Sequence, residues 1–255
     1  MEKEMGKEMG KLEGKIAIIT GGGTGIGKGI TKEFLSEGCT VVIAARNISR
    51  LENVRKEFDI YGTKILSVKT DITKESDVIN LFSIVTNKFG RVDILVNNSG
   101  AFDGGVLENI TFEEWNRVIS VNVTGMFLCT RQAFPIMKKQ GGGKIINIGS
   151  IAAQRARHNS VPYTTSKHAV WGLTQSSALE GRDFGIAVSS IHPGNVAVER
   201  RSDGRSSTGR DEGPEPLIQP EEIGKTALLM STLPENSNML EAIILPLKQD
   251  YLGRG

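Results

Sequence analysis

Short apolar runs, many of them β-branched, alternate along most of the chain with longer stretches in which apolar residues recur at helical spacing. A short, nearly continuous apolar run fits a strand that is covered on both faces, as strands of parallel sheets are. The amphipathic stretches between these runs fit the helical crossovers that join parallel strands. The pattern therefore predicts an α/β fold built from repeated strand–helix units.

The apolar runs and helical stretches follow one another in regular order from residue 15 onward. Strands are predicted at 16–19, 40–44, 64–68, 94–96, 144–148, 186–191 and 242–245, and helices through Leu35 and at 51–58, 78–89, 115–137 and 163–182. Crossovers between parallel strands are right-handed, which leaves few possible arrangements. We expect a single-domain, Rossmann-type doubly wound parallel sheet of six to seven strands with helices on both faces.

Two segments stand outside this regular pattern. Residues 1–13 repeat a Lys-Glu-Met-Gly motif without an apolar stretch, so they are predicted to form a flexible N-terminal extension. Residues 14–255 then form one domain. The segment at about 199–220 is rich in Gly, Ser, Arg and Pro and has no periodicity. Loops of this length are usually functional, and we expect a mobile substrate loop that becomes ordered when ligand binds.

A glycine-rich corner follows the first predicted strand and opens the first predicted helix. Glycine lets the backbone approach a phosphate closely, and a helix N-terminus offers unpaired N–H groups and a positive dipole end to an anion. This position between strand and helix is the context of a dinucleotide-binding motif. The residues expected to contact a pyrophosphate are Gly21, Gly23, Thr24, Gly25, Ile26 and Gly27.

The end of the second strand bears on the choice of cofactor. An acidic residue there would bind the ribose hydroxyls of NAD, whereas the sequence reads Ala44-Ala45-Arg46-Asn47. A guanidinium pairs well with a phosphate and stays charged. Arg46 therefore favours NADP, with NAD as the alternative.

A phenol and an amine are spaced for one face of a helix in the second half of the chain. Tyr163 and Lys167 are four positions apart, and Ser150 comes at the end of the fifth predicted strand. A nearby ammonium favours the phenolate and lowers the pKa of a tyrosine, which can then exchange a proton with a carbonyl or an alcohol. Ligands of doubly wound sheets bind outside the carboxyl ends of the strands, where Ser150 and Tyr163 both belong.

Taken together, these motifs resemble the short-chain dehydrogenase/reductase family. The elements that carry the resemblance are Thr20-Gly21 through Gly25-Ile26-Gly27, Asp71-Ile72, Asn97-Asn98-Ser99-Gly100, Asn122, Ser150, Tyr163 with Lys167, and Pro193-Gly194. Each element alone is unspecific, whereas the set in this order is highly specific. The resemblance implies an NADP-dependent oxidoreductase that transfers hydride between a nicotinamide and a carbonyl or secondary alcohol, closest to 3-hydroxy acid dehydrogenases and 3-oxoacyl reductases.

The resemblance also implies the catalytic roles. Tyr163 is expected to be the general acid–base, and Lys167 to lower its pKa and hold the nicotinamide ribose. Ser150 is expected to hydrogen-bond the reacting oxygen. Asn122 is expected to anchor a water that continues a proton relay from Lys167 to solvent.

Further cofactor contacts follow from the same resemblance. Asp71 and Ile72 are expected near the adenine, and Asn97 beside the adenosine ribose. A threonine that commonly binds the nicotinamide carboxamide would fall at Val198, which cannot donate that hydrogen bond. Val196 can still offer backbone contacts.

Charge and composition limit the kinds of partner that the protein is expected to bind. The formal net charge is +2 and Lys and Arg do not gather in a long run, so no nucleic acid partner is expected. No apolar run reaches the ~18 residues of a membrane-spanning helix. The two cysteines lie far apart and the three histidines are scattered, which indicates no metal site and a reducing compartment. We therefore expect a cytoplasmic protein that acts on a small molecule.

The sequence leaves alternatives open for both the substrate and the class of function. One is a 3-oxoacyl thioester reductase, which would need a basic surface for a carrier protein. Another is a catalytically silent nucleotide-binding regulator, which has no need for an intact Ser150, Tyr163 and Lys167. Arg155 and Arg157 lie between Ser150 and Tyr163 and either bind an acidic substrate or form a solvated loop.

The two long predicted helices of the second half carry apolar residues on more than one face. These residues are Val121, Met126, Phe127 and Leu128 in one helix, and Val170, Trp171 and Leu173 in the other. One face covers the sheet, and an apolar surplus usually marks a partner surface. Together with the family resemblance, this predicts a homotetramer, with a homodimer as the alternative.

Overall fold

The computed structural model describes residues 10–62, 64–199 and 215–252. The strands are β1 (Ile16–Thr20), β2 (Thr40–Ala45), β3 (Ile65–Lys69), β4 (Ile94–Asn97), β5 (Gly143–Ile148), β6 (Ile186–Pro193) and β7 (Glu241–Ile244). Within the described ranges they form one parallel sheet in the order β3-β2-β1-β4-β5-β6-β7. The predicted doubly wound parallel sheet is confirmed.

The helices are α1 (Gly25–Ser36), α2 (Ile48–Glu57), α3 (Glu75–Phe89), α4 (Phe112–Ile119), α5 (Met126–Lys139), α6 (Val161–Gly181) and α7 (Pro220–Thr232). The single helix predicted at 115–137 is divided into α4 and α5 by a π-helical segment, Ser120–Gly125. Helix α7 was not predicted. Its start is marked by Pro220 in the first turn and by the Glu222 carboxylate, which accepts from the Gln219 N–H at 2.6 Å.

Two apolar cores cover the two faces of the sheet. Phe34 of α1, Leu51 of α2 and Ile223 of α7 belong to one core, and Leu81 of α3 and Met137 of α5 to the other. Burial from both sides explains the absence of polar alternation in β1, whose residues are all buried. The strand order reverses between β1 and β4, and the crevice at their carboxyl ends is where doubly wound sheets bind ligands.

The packed part of the chain begins earlier than the boundary predicted at residue 14. Leu12 is only 2% exposed and belongs to a core cluster, and its N–H donates to the Glu37 carbonyl at 2.9 Å. A single leucine among polar residues gives no periodic signal. For this reason the sequence placed Leu12 in the N-terminal extension, whereas the structure places it in the core. Residues 1–9 lie outside the described residues.

The predicted substrate loop at 199–220 is described only at its ends, because residues 200–214 lie outside the described residues. Val196 forms a parallel bridge with Ile218, and the Ala197 N–H donates to the Ile218 carbonyl at 2.9 Å. These contacts bring the two ends of the segment together beyond β6. The ordering of the loop by ligand stays a prediction.

The apolar residues on which assembly was predicted do not share one surface. Met126, Leu128 and Val170 are buried within the subunit, so they add nothing to a surplus face. The members that remain half-buried or exposed are Val121, Phe127, Trp171 and Leu173. Neighbouring helix positions point in different directions, and the sequence grouping overlooked this.

Candidate active site

The glycine-rich corner after β1 is folded tightly against the start of α1. Gly21 has a φ of 66°, in the left-handed region that favours glycine. A Cβ on Gly27 would lie 2.2 Å from the Gly21 carbonyl oxygen, so a larger residue would push α1 away from the corner. The Thr31 hydroxyl supports the turn by donating to the Gly27 carbonyl at 2.8 Å. The first N–H groups of α1 thereby lie at the carboxyl edge of the sheet.

Asn98 and Thr20 hold this corner to the neighbouring strand β4. The Asn98 side-chain amide donates to the carbonyl oxygens of Thr20 at 2.9 Å and Gly21 at 3.2 Å. The buried Thr20 hydroxyl accepts from the backbone N–H groups of Asn98 at 3.0 Å and Ser99 at 3.1 Å. The sequence interpretation used Asn98 only as part of a motif and assigned it no role. The sequence marks Asn98 only by its place directly after the fourth apolar run.

A carboxylate of the protein itself lies at the N-terminus of α1. Glu199 Oε1 accepts from the Gly25 N–H at 3.3 Å. Val198 packs on the same glycine, since a Cβ on Gly25 would lie 2.9 Å from Val198 Cγ1. Helix N-termini attract anions through their free N–H groups and their dipole. A phosphate bound to these N–H groups would take the place of Glu199.

A pocket lies between the glycine-rich corner and the end of β2. Its lining residues are Gly21, Gly23, Thr24, Ala45, Arg46, Asn47, Arg50 and Leu51. Arg46 and Arg50 are both exposed, and none of the lining residues is acidic. Arg50 was not predicted to bind the cofactor. Asn47 caps α2 by accepting from the Arg50 N–H at 3.1 Å, and the first turn of this helix places Arg50 at the pocket. Two guanidinium groups fit a phosphate better than a pair of ribose hydroxyls.

Asp71 and Ile72 follow β3 and have different surroundings. Asp71 Oδ1 accepts from the Thr73 N–H at 3.1 Å and from the Thr73 hydroxyl at 2.7 Å. Burial raises the pKa of the Asp71 carboxyl, but these hydrogen bonds and nearby Arg46 outweigh it and hold the pKa below its ordinary value. Ile72 is 7% exposed and packs against Gly125 of the π-helical segment. The Ile72 side chain therefore belongs to the core, which leaves only its backbone for a cofactor contact.

The Asn97 side chain points into the interior, so the expected contact of Asn97 with a ribose could come only from its backbone. It is 2% exposed, and its amide donates to Thr130 Oγ1 at 3.0 Å and to Asn147 Oδ1 at 2.9 Å. The Asn147 amide continues the network to Thr174 Oγ1 at 2.9 Å. This buried network ties β4 and β5 to the helices α5 and α6. The side chain of Asn97 thus has a structural role.

The backbone N–H and carbonyl of Val196 make neither of the two hydrogen bonds in its bridge with Ile218. The two hydrogen bonds of that bridge join Ile218 to the flanking residues Asn195 and Ala197. The Val196 side chain is buried, at 4% exposure. A backbone contact from Val196 to a ligand is therefore compatible with the structure.

Tyr163 and Lys167 lie one turn apart near the start of α6. Lys167 is 5% exposed, and its ammonium donates to the Ile148 carbonyl at 2.7 Å. The Lys167 Nζ atom lies 5.5 Å from the centre of the Tyr163 ring, and the Phe102 ring packs edge-on against that ring at a centroid distance of 5.0 Å. The last residue of β5 thus fixes the ammonium beside the phenol. Its positive charge favours the phenolate.

Ser150 follows β5, and a buried histidine contacts its backbone. The Ser150 hydroxyl accepts from the Ala152 N–H at 3.1 Å, which leaves the hydroxyl hydrogen to be donated elsewhere. His192 Nδ1 lies 2.9 Å from the Ser150 carbonyl oxygen, and His192 Nε2 lies 3.5 Å from the Glu241 carboxylate. Burial lowers the pKa of His192 despite the opposing effects of Ser150 and Glu241. The scattered positions of the histidines in the sequence gave no sign of this contact, by which His192 supports the backbone of Ser150.

Asn122 lies at the centre of the π-helical segment and is fully buried. Its side-chain oxygen accepts from the Ala101 N–H at 2.7 Å, and its amide donates to the Ala101 carbonyl and to Ser166 Oγ, each at 2.9 Å. Both amide hydrogens are therefore used by the protein. A relay water of the expected kind would have to bind the backbone of Asn122, because the side chain joins the loop after β4 to α6.

Three loops frame the edge on which Ser150 and Tyr163 lie. The loop after β4 contacts the loop after β5 where the Gly105 N–H donates to the Asn159 carbonyl at 2.9 Å. The loop after β5 contacts the loop after β6 where Arg157 Nη2 donates to Asn195 Oδ1 at 3.1 Å. The three loops thus contact one another at the sheet edge that carries Ser150 and Tyr163, which makes this edge the candidate substrate site.

Other chemistry has little support in the described part of the chain. No group of three metal-ligating side chains occurs among the described residues. Within the same ranges no helix has both the length and the apolar character needed to cross a bilayer. Burial raises the pKa of both thiols, Cys39 and Cys129, to about 12, so neither is a reactive nucleophile.

Two curated relatives cover most of the chain. An uncharacterized oxidoreductase of Bacillus subtilis (strain 168), YxjF, is 35% identical over 71% of this chain and 70% of its own length. An uncharacterized oxidoreductase of Staphylococcus aureus (strain USA300) is 31% identical over 89% of this chain and 95% of its own length. Both similarities extend well beyond the glycine-rich corner.

Solved structures and a family model agree with these relatives. A metagenomic short-chain oxidoreductase in complex with NADP matches with a TM-score of 0.81 and 31% identity over 92% of this chain and 98% of its own. A variant of actinorhodin polyketide ketoreductase with NADPH matches with a TM-score of 0.86 and 26% identity, over 93% and 98% of the two chains. The family model of the short chain dehydrogenases matches residues 15–208. The chain therefore belongs to the short-chain dehydrogenase family of oxidoreductases.

Proposed function

We propose that the protein is an NADP(H)-dependent oxidoreductase that interconverts a carbonyl compound and the corresponding secondary alcohol. The observation that carries this proposal is the fixed Tyr163–Lys167 pair beside Ser150, on the same sheet edge as the phosphate-binding corner. A protein that only bound a nucleotide would have no need of an ammonium held next to a phenol. Membership of an oxidoreductase family supports the same conclusion.

The choice of NADP rests on the pocket beside the glycine-rich corner. Arg46 and Arg50 would hold the 2′-phosphate, and the N–H groups at the start of α1 would hold the pyrophosphate. The absence of an acidic lining residue disfavours NAD, whose ribose hydroxyls are usually bound by a carboxylate. The solved relatives with bound NADP and NADPH support this choice.

The proposed chemistry divides between cofactor and protein. The bound dinucleotide supplies a hydride in the reducing direction and accepts one in the oxidising direction. In reduction, Tyr163 donates its phenolic proton to the carbonyl oxygen, while Ser150 donates a hydrogen bond to the same oxygen. In oxidation, the phenolate takes the hydroxyl proton of the alcohol. Lys167 stabilises the phenolate in both directions, and Asn122 and His192 act as positioning residues.

The proposal can be tested by following nicotinamide absorbance with the purified protein. A panel of ketones, aldehydes, secondary alcohols and 3-oxoacyl thioesters would be assayed with NADPH, NADP⁺, NADH and NAD⁺. We expect turnover of at least one carbonyl–alcohol pair, with a higher kcat/KM for the phosphorylated cofactor. Tight NADPH binding without turnover of any panel member would favour the regulator, and activity confined to acyl thioesters would favour the thioester reductase.

We also propose that the enzyme assembles as a homotetramer, with a homodimer as the alternative. The support is the apolar surface that α5 and α6 expose. Phe127 on α5 is 44% exposed and Leu179 on α6 is 60% exposed. Light scattering coupled to size-exclusion chromatography at micromolar concentration measures the mass directly. A mass near 27.6 kDa, that of one chain, would contradict the proposal.

A further inference from the structure

Arg157 lies on the rim of the candidate substrate site, in the loop that connects Ser150 to Tyr163. Its guanidinium donates to Asn195 Oδ1 at 3.1 Å. Asn195 is 2% exposed and follows β6, whose His192 contacts Ser150. Arg157 therefore spans the gap between two loops that border the reacting groups.

The position of Asn195 is itself well determined. Its backbone N–H donates to Gln249 Oε1 at 2.8 Å. Its carbonyl accepts from the Ile218 N–H at 3.0 Å. These two bonds fix the backbone of Asn195. Its side-chain amide can then orient the guanidinium of Arg157.

The environment of the Arg157 guanidinium differs from that of the two neighbouring arginines, Arg117 and Arg155. Arg117 forms an ion pair with Asp103 on the adjacent rim, and Arg155 is exposed and lies over the Tyr251 ring at 5.5 Å. Within the described ranges no carboxylate lies at ion-pair distance from half-buried Arg157. A neutral amide occupies one of five N–H donors. A partly buried guanidinium is stabilised further when an anion accepts from the remaining donors.

We propose that Arg157 binds a carboxylate of the substrate, so that the preferred substrates are small oxo acids and hydroxy acids. This inference rests on the proposed oxidoreductase function and adds the substrate class. A guanidinium matches a carboxylate through two parallel N–H···O bonds. Asn195 holds the guanidinium in place, while Ser150 and Tyr163 bind the reacting oxygen and Phe102 supplies an apolar wall beside Tyr163.

The test compares Arg157→Gln with the matched control Arg155→Gln on pairs of oxo acids and their methyl esters, and on phosphorylated ketones, using NADPH. We expect the wild type to prefer each acid over its ester in kcat/KM. Arg157→Gln should lower this acid-to-ester ratio at least about tenfold, mainly through KM, as expected for a lost charge-assisted hydrogen bond. Arg157→Lys should fall between, and Arg155→Gln should keep the wild-type ratio. Thermal unfolding checks that each variant is folded.

A wild-type ratio near one, or an equal loss in the Arg157 and Arg155 variants, would overturn the inference. A stronger preference for phosphorylated ketones than for oxo acids would also overturn it. Neutral ketones reduced with NADPH in any of these cases would leave the proposed oxidoreductase function standing.

Calorimetric titration of the NADP⁺-loaded protein with the same acids and esters separates the inference from turnover. Tighter binding of the acids, lost in Arg157→Gln and kept in Arg155→Gln, supports the inference even where no panel member is reduced. Equal binding of acids and esters by the wild type contradicts it.

Discussion

Tyr163→Phe is expected to lower turnover at least about 100-fold, within the range for a lost general acid–base. This corresponds to about 2.7 kcal/mol of transition-state stabilisation. Phenylalanine keeps the ring that packs edge-on against Phe102 and removes only the hydroxyl. The pocket with Arg46 lies elsewhere on the sheet edge, so NADPH affinity should stay close to that of the wild type. Initial rates and a fluorescence titration with NADPH measure the two quantities separately.

The chain has three tyrosines, which supplies a matched control. Tyr61 packs against Phe58 just before the edge strand β3, which three strands separate from β5 and Ser150. Tyr61→Phe should therefore keep wild-type turnover. Turnover near the wild-type value in Tyr163→Phe would remove Tyr163 from the mechanism.

The inner strands could be predicted from the sequence because they are buried from both sides and therefore read as apolar runs, and the less buried edge strands β3 and β7 still carry short apolar runs. The runs from β1 to β7 all lie close to their predicted positions. Leu12 was missed because it is a single buried residue among polar ones. Helix α7 was overlooked although Ile223, Ala227 and Met230 recur at helical spacing.

The candidate site was predictable where its geometry is local. Tyr163 and Lys167 meet because residues four apart share a helix face. Asn97 and Asn98 show the opposite case, because Asn97 ends β4 and Asn98 follows the strand, and their side chains point to different sides. Asn97 turns into the buried network and Asn98 holds the glycine-rich corner.

Contacts between distant parts of the chain could not be found in the pattern. His192 supports Ser150 because β6 lies beside β5, and a sequence does not state which strands are neighbours. Arg157 and Asn195 meet across the same two strand ends. Arg50 reaches the cofactor pocket because α2 starts at Asn47, a cap that the sequence interpretation did not use.

Arg46→Asp is expected to weaken NADPH binding by roughly ten- to a hundredfold, since a charge-assisted hydrogen bond to phosphate is worth ~1.5–3 kcal/mol. The new carboxylate can accept from ribose hydroxyls, so NADH binding should stay equal or improve. Fluorescence titrations with both cofactors measure the change. A wild type that already prefers NADH would contradict the assignment of this pocket.

Arg50 and Arg55 of α2 make the same experiment specific to the pocket. Arg50 lines the pocket, whereas Arg55 pairs with Glu52 at 2.8 Å and is not among the lining residues. Arg50→Gln should weaken NADPH binding and leave NADH binding unchanged, and adding it to Arg46→Asp should weaken NADPH binding further because each guanidinium donates separately to the phosphate. Arg55→Gln should change neither affinity. Equal losses for NADPH and NADH in the Arg46 and Arg50 variants would mean that these arginines support the fold of the corner and do not recognise the 2′-phosphate.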